Sequence, residues 1–159
     1  MFDHLKNKFS IEDHKWESYI NCFHKLEVSA KTILLNEGEI SEKIFIIEKG
    51  CIRCSFNKDG KDLTLQFFLE GGMVASIESF RKKIPSPISI ETIEPSVLWC
   101  IDKKDVDSIL NDLLEIPELR EKIIDLIFER TFDYIKQFVS FIKDSPEQRY
   151  QNILKENPQ

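Results

Sequence analysis

Between Leu26 and Ile101 apolar side chains recur at about every second position, whereas before and after that stretch they recur at every third or fourth. A repeat of two belongs to a strand whose side chains alternate between faces, and a repeat near 3.6 belongs to a helix. The change of period predicts a run of short strands with helices at both ends. The clearest strand pair flanks Lys58-Asp59-Gly60-Lys61, where Asp-Gly supplies the positive φ angles of a tight hairpin turn. Ahead of the turn Ile52, Cys54 and Phe56 alternate with Arg53 and Ser55. Beyond it Leu63, Leu65, Phe67 and Leu69 alternate with Asp62, Thr64 and Gln66. The apolar set on each side is expected to face the interior of a closed or rolled antiparallel sheet.

Ser10 followed by Asp13 reads as a helix start, with Trp16, Tyr19, Ile20 and Phe23 at helical spacing, so a helix is expected over 11–24. A short helix is expected from Asp105 to Leu113 and a long one after Pro117. In the long helix Ile124, Phe128, Thr131, Ile135, Phe138 and Ile142 are separated alternately by four and three residues, the seam of a coiled coil. Ile123, Leu126, Ile127, Tyr134 and Phe141 widen the apolar surface. Such a helix needs burial on more than one side. Either it lies in a groove of its own domain, or its second side meets another copy of the chain; the homodimer is the expected arrangement, with the six seam residues as its interface. Ser145-Pro146-Glu147-Gln148 restarts the helical signal, with a cap, a Pro at the first helical position and a Gln three residues after the cap, and Tyr150, Ile153 and Leu154 continue it. The expected organisation is an N-terminal helix and roll over 1–114, a dimerisation helix over 115–144 and the start of a C-terminal region over 145–159.

Composition narrows the function. With 159 residues, 42% apolar content and twelve Phe, the chain can bury one sizeable core. A formal charge of −6 opposes the phosphate neutralisation on which non-specific nucleic-acid binding rests. No apolar run reaches membrane-spanning length, and Met1 to Ser10 is too polar and charged for a signal peptide, so no membrane partner and a cytoplasmic location are expected. Cys22, Cys51, Cys54 and Cys100 are too few and too scattered for a disulfide framework and are expected to be thiols.

The segment Ile44-Phe45-Ile46-Ile47-Glu48-Lys49-Gly50-Cys51-Ile52-Arg53 resembles the signature of the cyclic-nucleotide-binding domain superfamily, in which an apolar strand ends at Gly and the next begins with an aliphatic and a basic residue. The order of features strengthens the resemblance: an N-terminal helix, the Glu37-Gly38-Glu39 turn, this strand, the Asp59-Gly60 hairpin, Gly71-Gly72, a further strand and a long helix. The whole series is similar to the sensor and dimerisation part of Crp/Fnr-like bacterial transcription regulators. The resemblance implies an α+β chain built on an antiparallel, jelly-roll-like β-roll with an N-terminal helix and a long C-terminal dimerisation helix. It also implies a small-molecule effector in the roll, a cyclic nucleotide or another molecule. DNA binding is implied only through a C-terminal helix-turn-helix, for which the residues after Pro146 are too few; either the chain is a fragment of a longer regulator, the favoured expectation, or it is a stand-alone sensor that works through another partner.

In family members that bind cyclic nucleotides, a phosphate-binding cassette follows the Gly-rich turn. Backbone N–H groups and an Arg hold the phosphate, and a Glu accepts from the ribose hydroxyl. The matching segment here runs from Gly71 through Gly72, Met73, Val74, Ala75, Ser76, Ile77, Glu78, Ser79 and Phe80, and on to Ser86, Pro87 and Ile88. Its first Gly is kept as Gly71. Ala75 stands for the second Gly, Ser76 for the Glu, and Ser86 with Pro87 for the Arg and its Ser neighbour. Losing the Arg removes a charge-assisted contact of about 1.5–3 kcal/mol, which argues against ordinary cyclic AMP binding. Arg81, Lys82 and Lys83 are expected to form a solvated basic loop. The candidate pocket comprises Gly71, Ala75, Ser76, Ile77, Glu78, Ser86, Pro87 and Thr131 of the long helix.

Other chemistry is thinly represented. A cupin holds its metal with several His inside the barrel, but His4, His14 and His24 are expected outside the strands, so no metal site is expected. Cys51 and Cys54 form a C-x-x-C, yet residues three apart on a strand point to opposite faces and are expected to be ordinary strand residues. Iron–sulfur members of the resembled family cluster cysteines near the N-terminus, where only Cys22 lies. There is no nucleophile elbow or Walker loop and no His beside a plausible nucleophile, so catalytic residues and enzyme activity are not expected. Two readings follow: a roll that receives an effector and shifts the dimer helices, or a constitutive dimerisation or protein-interaction module whose roll is filled by side chains such as Met73, Phe67 and Ile88.

Overall fold

The computed structural model describes residue 6, residues 11–145 and residue 148. His4, Ser10, Pro146, Tyr150, Ile153 and Leu154 lie outside the described residues, as does the side chain of Phe141. In chain order the elements are α1 (Asp13–Ile20), β1 (Phe23–Val28), β2 (Ile33–Leu35), β3 (Lys43–Lys49), β4 (Ile52–Lys58), β5 (Lys61–Phe68), β6 (Met73–Val74), α2 (Ile77–Lys82), β7 (Ser89–Thr92), β8 (Ser96–Asp102), α3 (Lys103–Leu114) and α4 (Pro117–Lys143). The strands form two four-stranded antiparallel sheets, in the orders β1-β8-β3-β6 and β2-β7-β4-β5. This is the α+β roll that the alternation predicted.

Both sheets contribute to one core of Leu35, Phe45, Ile47, Ile52, Cys54, Val74, Ile90, Leu98 and Cys100, with Leu26, Val28, Leu34, Phe68 and Ile88 packed around it. Ile47, Ile52, Ile90 and Leu98 are fully buried. At about 25 cal/mol per Å² of apolar surface, a buried Ile or Leu of this kind contributes roughly 1.5–3 kcal/mol, so the cluster is the principal source of cohesion in the roll. β3 and β8 lie inside the first sheet and read as nearly continuous apolar runs, as strands paired on both edges do.

The hairpin forms where predicted, with Asp59 at φ 54° and Gly60 at φ 80° and Lys58 paired with Lys61. The expected interior face of β5 is nevertheless wrong. From the turn outward the register pairs Ser55 with Thr64, then shifts to pair Cys54 with Gln66, which leaves Leu65 as an extra residue in a bulge. A bulge inverts the parity of everything beyond it. Ile52 thus faces the core opposite Phe68, while Phe67 shares the outer face with Arg53. Leu63, Leu65, Phe67 and Leu69 are left exposed, at 39–54%. Met73 is also exposed, so neither it nor Phe67 fills the roll; of the three side chains expected to do so, only Ile88 packs on the core.

Two further boundaries differ from expectation. α1 ends at Ile20 and β1 begins at Phe23, because Leu26 and Val28 pair across to β8 and pull the preceding residues into the sheet. His24 therefore lies on β1, opposite Cys100, and not outside the strands; its side chain is exposed, away from the core. Gly50, at φ 102°, sits where the signature strand turns, and a Cβ there would come within 2.3 Å of Ser96 Oγ. Both the left-handed backbone and the close approach require glycine.

By its contacts the chain divides into two compact units, Met1–Asp112 and Leu113–Gln159, the boundary falling near the end of α3. In the second unit Ile116 is the extended N-cap and Pro117 opens α4, where its missing N–H costs nothing. The helix is 27 residues long, about 40 Å at 1.5 Å per residue. It ends at Asp144, whose φ of −99° and ψ of 140° are extended. Ser145 and Gln148 then exchange hydrogen bonds, Gln148 N–H to Ser145 Oγ at 3.3 Å and Ser145 N–H to Gln148 Oε1 at 2.9 Å, the capping box read from the sequence.

Candidate functional site

The turn that precedes the cassette is fixed to the centre of the first sheet. Gly71 N–H donates to Ile47 O at 2.8 Å and Ile47 N–H to Gly72 O at 3.0 Å, with Gly71 at φ 80°. Val74 then enters the core, Ala75 is half-buried, and Ser76 caps α2, where its carbonyl accepts from Phe80 N–H at 2.8 Å. α2 stops after one and a half turns because Lys83 adopts the left-handed conformation, φ 55°. The chain returns through Ser86, Pro87 and Ile88 into β7.

This path brings Ser76 and Ser86 together. The two hydroxyls share a hydrogen bond at 2.9 Å, and both residues are buried, at 4% and 2% exposure. With its single proton donated to Ile88 O at 2.6 Å, Ser86 Oγ accepts from the Ser76 hydroxyl and from Ile88 N–H at 3.2 Å. A hydroxyl with one donor and two acceptor positions is thereby fully occupied. Among the described residues no buried side-chain N or O lacks a partner. At the positions where the resemblance places a Glu and an Arg, the roll thus holds a neutral pair satisfied from within.

The remaining pocket residues expected from the sequence are less convergent. Ile77, Glu78 and Pro87 are exposed, Ile77 at 58%. Glu78 is engaged by Lys82 at 2.7 Å, one turn along α2. Arg81 lies 3.9 Å from Asp107, and Arg81, Lys82 and Lys83 are all exposed at the C-terminal end of α2, the opposite end from Ser76. All three are solvated as expected, but Arg81 and Lys82 stand on the last turn of α2 and Lys83 is its C-cap, so the basic run is a helix end and not a loop. Thr131 belongs to the second unit, exposed on α4, with its hydroxyl donating to Ile127 O at 2.8 Å.

Two features escaped sequence reasoning. Ser79 is wholly buried and binds both sides of the cassette, accepting from Ser41 N–H at 2.9 Å and donating to Ile84 O at 2.6 Å. The Glu37-Gly38-Glu39 turn grips the returning chain: Gly38 N–H donates to Ser86 O at 2.8 Å, Ser86 N–H to Glu39 O at 2.7 Å and Glu37 N–H to Ser89 Oγ at 2.9 Å. The recurrence of Ser at 76, 79, 86 and 89 was the available signal.

The thiols offer little reactivity. Burial pushes Cys54 up to about 11 and raises Cys51 and Cys100, so these side chains stay protonated near neutrality. Cys51 precedes β4 and Cys54 lies within the core cluster, both as free thiols. No group of three or more His, Cys, Asp or Glu among the described residues is placed to hold a metal. No helix among them is long and apolar enough to cross a membrane. A surface cleft of about 430 Å³, lined by Glu27, Val28, Ser29, Lys49, Pro95, Ser96 and Val97, shares no residue with the cassette.

A helix-flanked β-roll with a Gly-led turn, a short helix and a returning strand is the arrangement these residues build. The family model for the cyclic nucleotide-binding domain matches residues 25–112, more than half of the sequence, and the chain belongs to that family. Solved structures share its fold. The sensor domain of the transcriptional regulator DNR from Pseudomonas aeruginosa has a TM-score of 0.67 at 14% identity, over 85% of this chain and 91% of that one. The catabolite activator protein of Thermus thermophilus gives 0.63 at 13% identity, over 82% of this chain and 60% of that one. The regulatory domain of Toxoplasma gondii PKA, crystallised with cAMP, gives 0.58 at 19% identity, over 66% and 41%. The chain thus spans about two fifths to three fifths of these last two. Among curated protein sequences none matches it.

Proposed function

We propose that this chain is the ligand-sensing and dimerisation part of a Crp/Fnr-like transcription regulator, in which an effector bound in the roll shifts the packing of two α4 helices and so controls DNA binding. The observation that carries the reading is a roll of the cyclic nucleotide-binding family joined to a helix whose whole predicted seam is exposed. Ile124, Phe128, Ile135, Phe138 and Ile142 are 44–71% exposed. An apolar stripe of that size on a single chain is a surface awaiting a partner, and a second copy supplies a matching one. The domain boundaries read from the sequence fit this division of labour: sensing within 1–114, pairing within 115–144, and onward connection from 145. DNA contact belongs to a helix-turn-helix following α4, and the setting is the cytoplasm.

The neutral Ser76–Ser86 pair directs the effector reading away from cyclic AMP. A cyclic phosphate entering the cassette would be desolvated beside a neutral serine pair already bonded to each other, with Arg81, Lys82 and Lys83 at the other end of α2. The cassette residues Gly71, Ala75, Ser76, Ile77, Glu78, Ser86 and Pro87 are therefore proposed to receive another small molecule. Thermal unfolding with cyclic AMP, cyclic GMP, cyclic dinucleotides, small acids and aromatics tests this. At a hundred times its dissociation constant a true effector adds about 2.7 kcal/mol, and each kcal/mol is worth roughly 2–4 °C at this chain length. No shift with cyclic AMP and a shift of several degrees with another compound is the expected result; a several-degree shift with cyclic AMP overturns the rejection.

The core favours one second reading. Nine buried side chains from both sheets pack into one cluster inside the roll, and no buried side-chain N or O of the cassette lacks a partner. A chain that dimerises through α4 but shifts with no compound in the panel is the constitutive module of that reading.

A further inference from the structure

The bonds that hold the cassette do not stop at the cassette. Ser86 is held at four points: by Ser76 through its hydroxyl, by Ile88, by Glu39 O through its N–H and by Gly38 N–H through its carbonyl. The same turn is bound to β7 by Glu37 N–H to Ser89 Oγ, and to α2 by Ser41 N–H to Ser79 Oγ, each at 2.9 Å. On its far side the Glu37 carboxylate accepts from Asn57 N–H at 2.9 Å, and Asn57 Oδ1 accepts from Gly60 N–H at 3.0 Å. Asn57 and Gly60 are the end of the β4–β5 hairpin. Within the turn, Glu39 fixes Asn36 through Asn36 N–H at 2.8 Å and its side-chain amide at 3.1 Å.

We infer that residues 36–41 form a hydrogen-bonded relay that couples the state of the Ser76–Ser86 pair to the tip of the β4–β5 hairpin. The inference rests on the cassette as the ligand-responsive part of the roll, and adds the route by which its opening leaves it. The geometry favours a stiff link. Ser86 and Gly38 are joined backbone to backbone, so Ser86 cannot move away from Ser76 without moving the turn, and Glu37, one residue from Gly38, holds the hairpin amide. The hairpin is the element that carries the exposed Leu63, Leu65 and Phe67, so loosening its tip alters the presentation of that apolar face. Coupling of this kind is reciprocal: disturbing the hairpin end must loosen the cassette as much as the reverse.

Amide hydrogen exchange of the full chain, without any ligand, tests the relay. In Ser86→Ala, which removes only the hydroxyl, exchange of the Gly38 and Asn57 amides is expected to rise at least tenfold, with the β1–β8 amides of Leu26 and Leu98 unchanged. In Glu37→Gln, which weakens the hold on Asn57 from the surface, exchange at Ser86 and Ile88 is expected to rise as well. Acceleration confined to Ser86 and Ile88 in the first variant and to Asn57 in the second overturns the relay. If Ser86→Ala speeds Leu98 along with everything else, that variant has unfolded globally, and Glu37→Gln decides: faster exchange at Ser86 and Ile88 supports the relay, and a change at Asn57 alone overturns it. A failure of every compound in the thermal panel removes the sensor reading but leaves this result standing, so the two fail separately.

Discussion

Gly50 shows how a single residue can be read twice. In the sequence it ends an apolar strand at the place where the signature demands a sharp turn. In the structure it has φ 102° and a missing Cβ that would stand 2.3 Å from Ser96 Oγ. Gly38 and Gly60 also have positive φ but have nothing within 4 Å of the added Cβ. Gly50→Ala is therefore expected to lower stability by about 2–4 kcal/mol, left-handed strain plus steric overlap, whereas Gly60→Ala costs about 1 kcal/mol. Urea unfolding of both variants makes the comparison; equal losses would refute the close-approach argument. Ser76 and Ser86 are the opposite case. Their identities were visible as departures from the cassette pattern, but not their hydrogen bond, because ten residues and a helix separate them in the chain.

At the level of elements, the first sheet is tied across its outer face by a set that no sequence period announces. Glu48 on β3 accepts from Trp99 Nε1–H on β8 at 2.6 Å and from Lys25 Nζ on β1 at 3.2 Å, and Lys25 lies 5.6 Å from the Trp99 ring centroid. The hydrogen bonds from Lys25 and Trp99 hold the Glu48 carboxyl below the usual carboxylate range. A depressed folded-state pKa means that its contribution is present above the ordinary carboxylate value and is lost as the pH falls through the lower, folded one. Acidification below about pH 4 is expected to change Trp99 emission before global unfolding, and Glu48→Gln should abolish that step. An identical acid step in the variant would show that another group is responsible. The β4–β5 pair teaches the harder lesson. The Asp59-Gly60 turn was legible because Asp-Gly has a local conformational meaning, whereas the bulge at Leu65 was not, because it is set by which residues of β4 are pulled into the core.

For the whole molecule, the decisive question is what covers α4. Replacing Ile135 and Phe138 by Asp places two charges in the proposed seam, and the dimer is expected to fall to a monomer in sedimentation-velocity ultracentrifugation at micromolar concentration while the β-sheet circular dichroism is retained. Dimers that persist would sink the α4 interface. The amino-acid sequence by itself determined the helix–strand–helix order, the tight hairpin, the glycine at the end of β3, the capping box at Ser145 and the breadth of the apolar stripe on α4. Each of these depends on a residue and its near neighbours along the chain: a period, a permitted φ, a side chain that reaches three residues. Only the tertiary structure decided the face that β5 shows to solvent, the start of β1 at Phe23, the mutual closure of Ser76 and Ser86 and the grip of the Glu37–Glu39 turn on both. Those depend on pairings between residues distant in sequence, and they are chosen by the burial of Ile47, Ile52, Ile90 and Leu98 together, a condition that no local window contains.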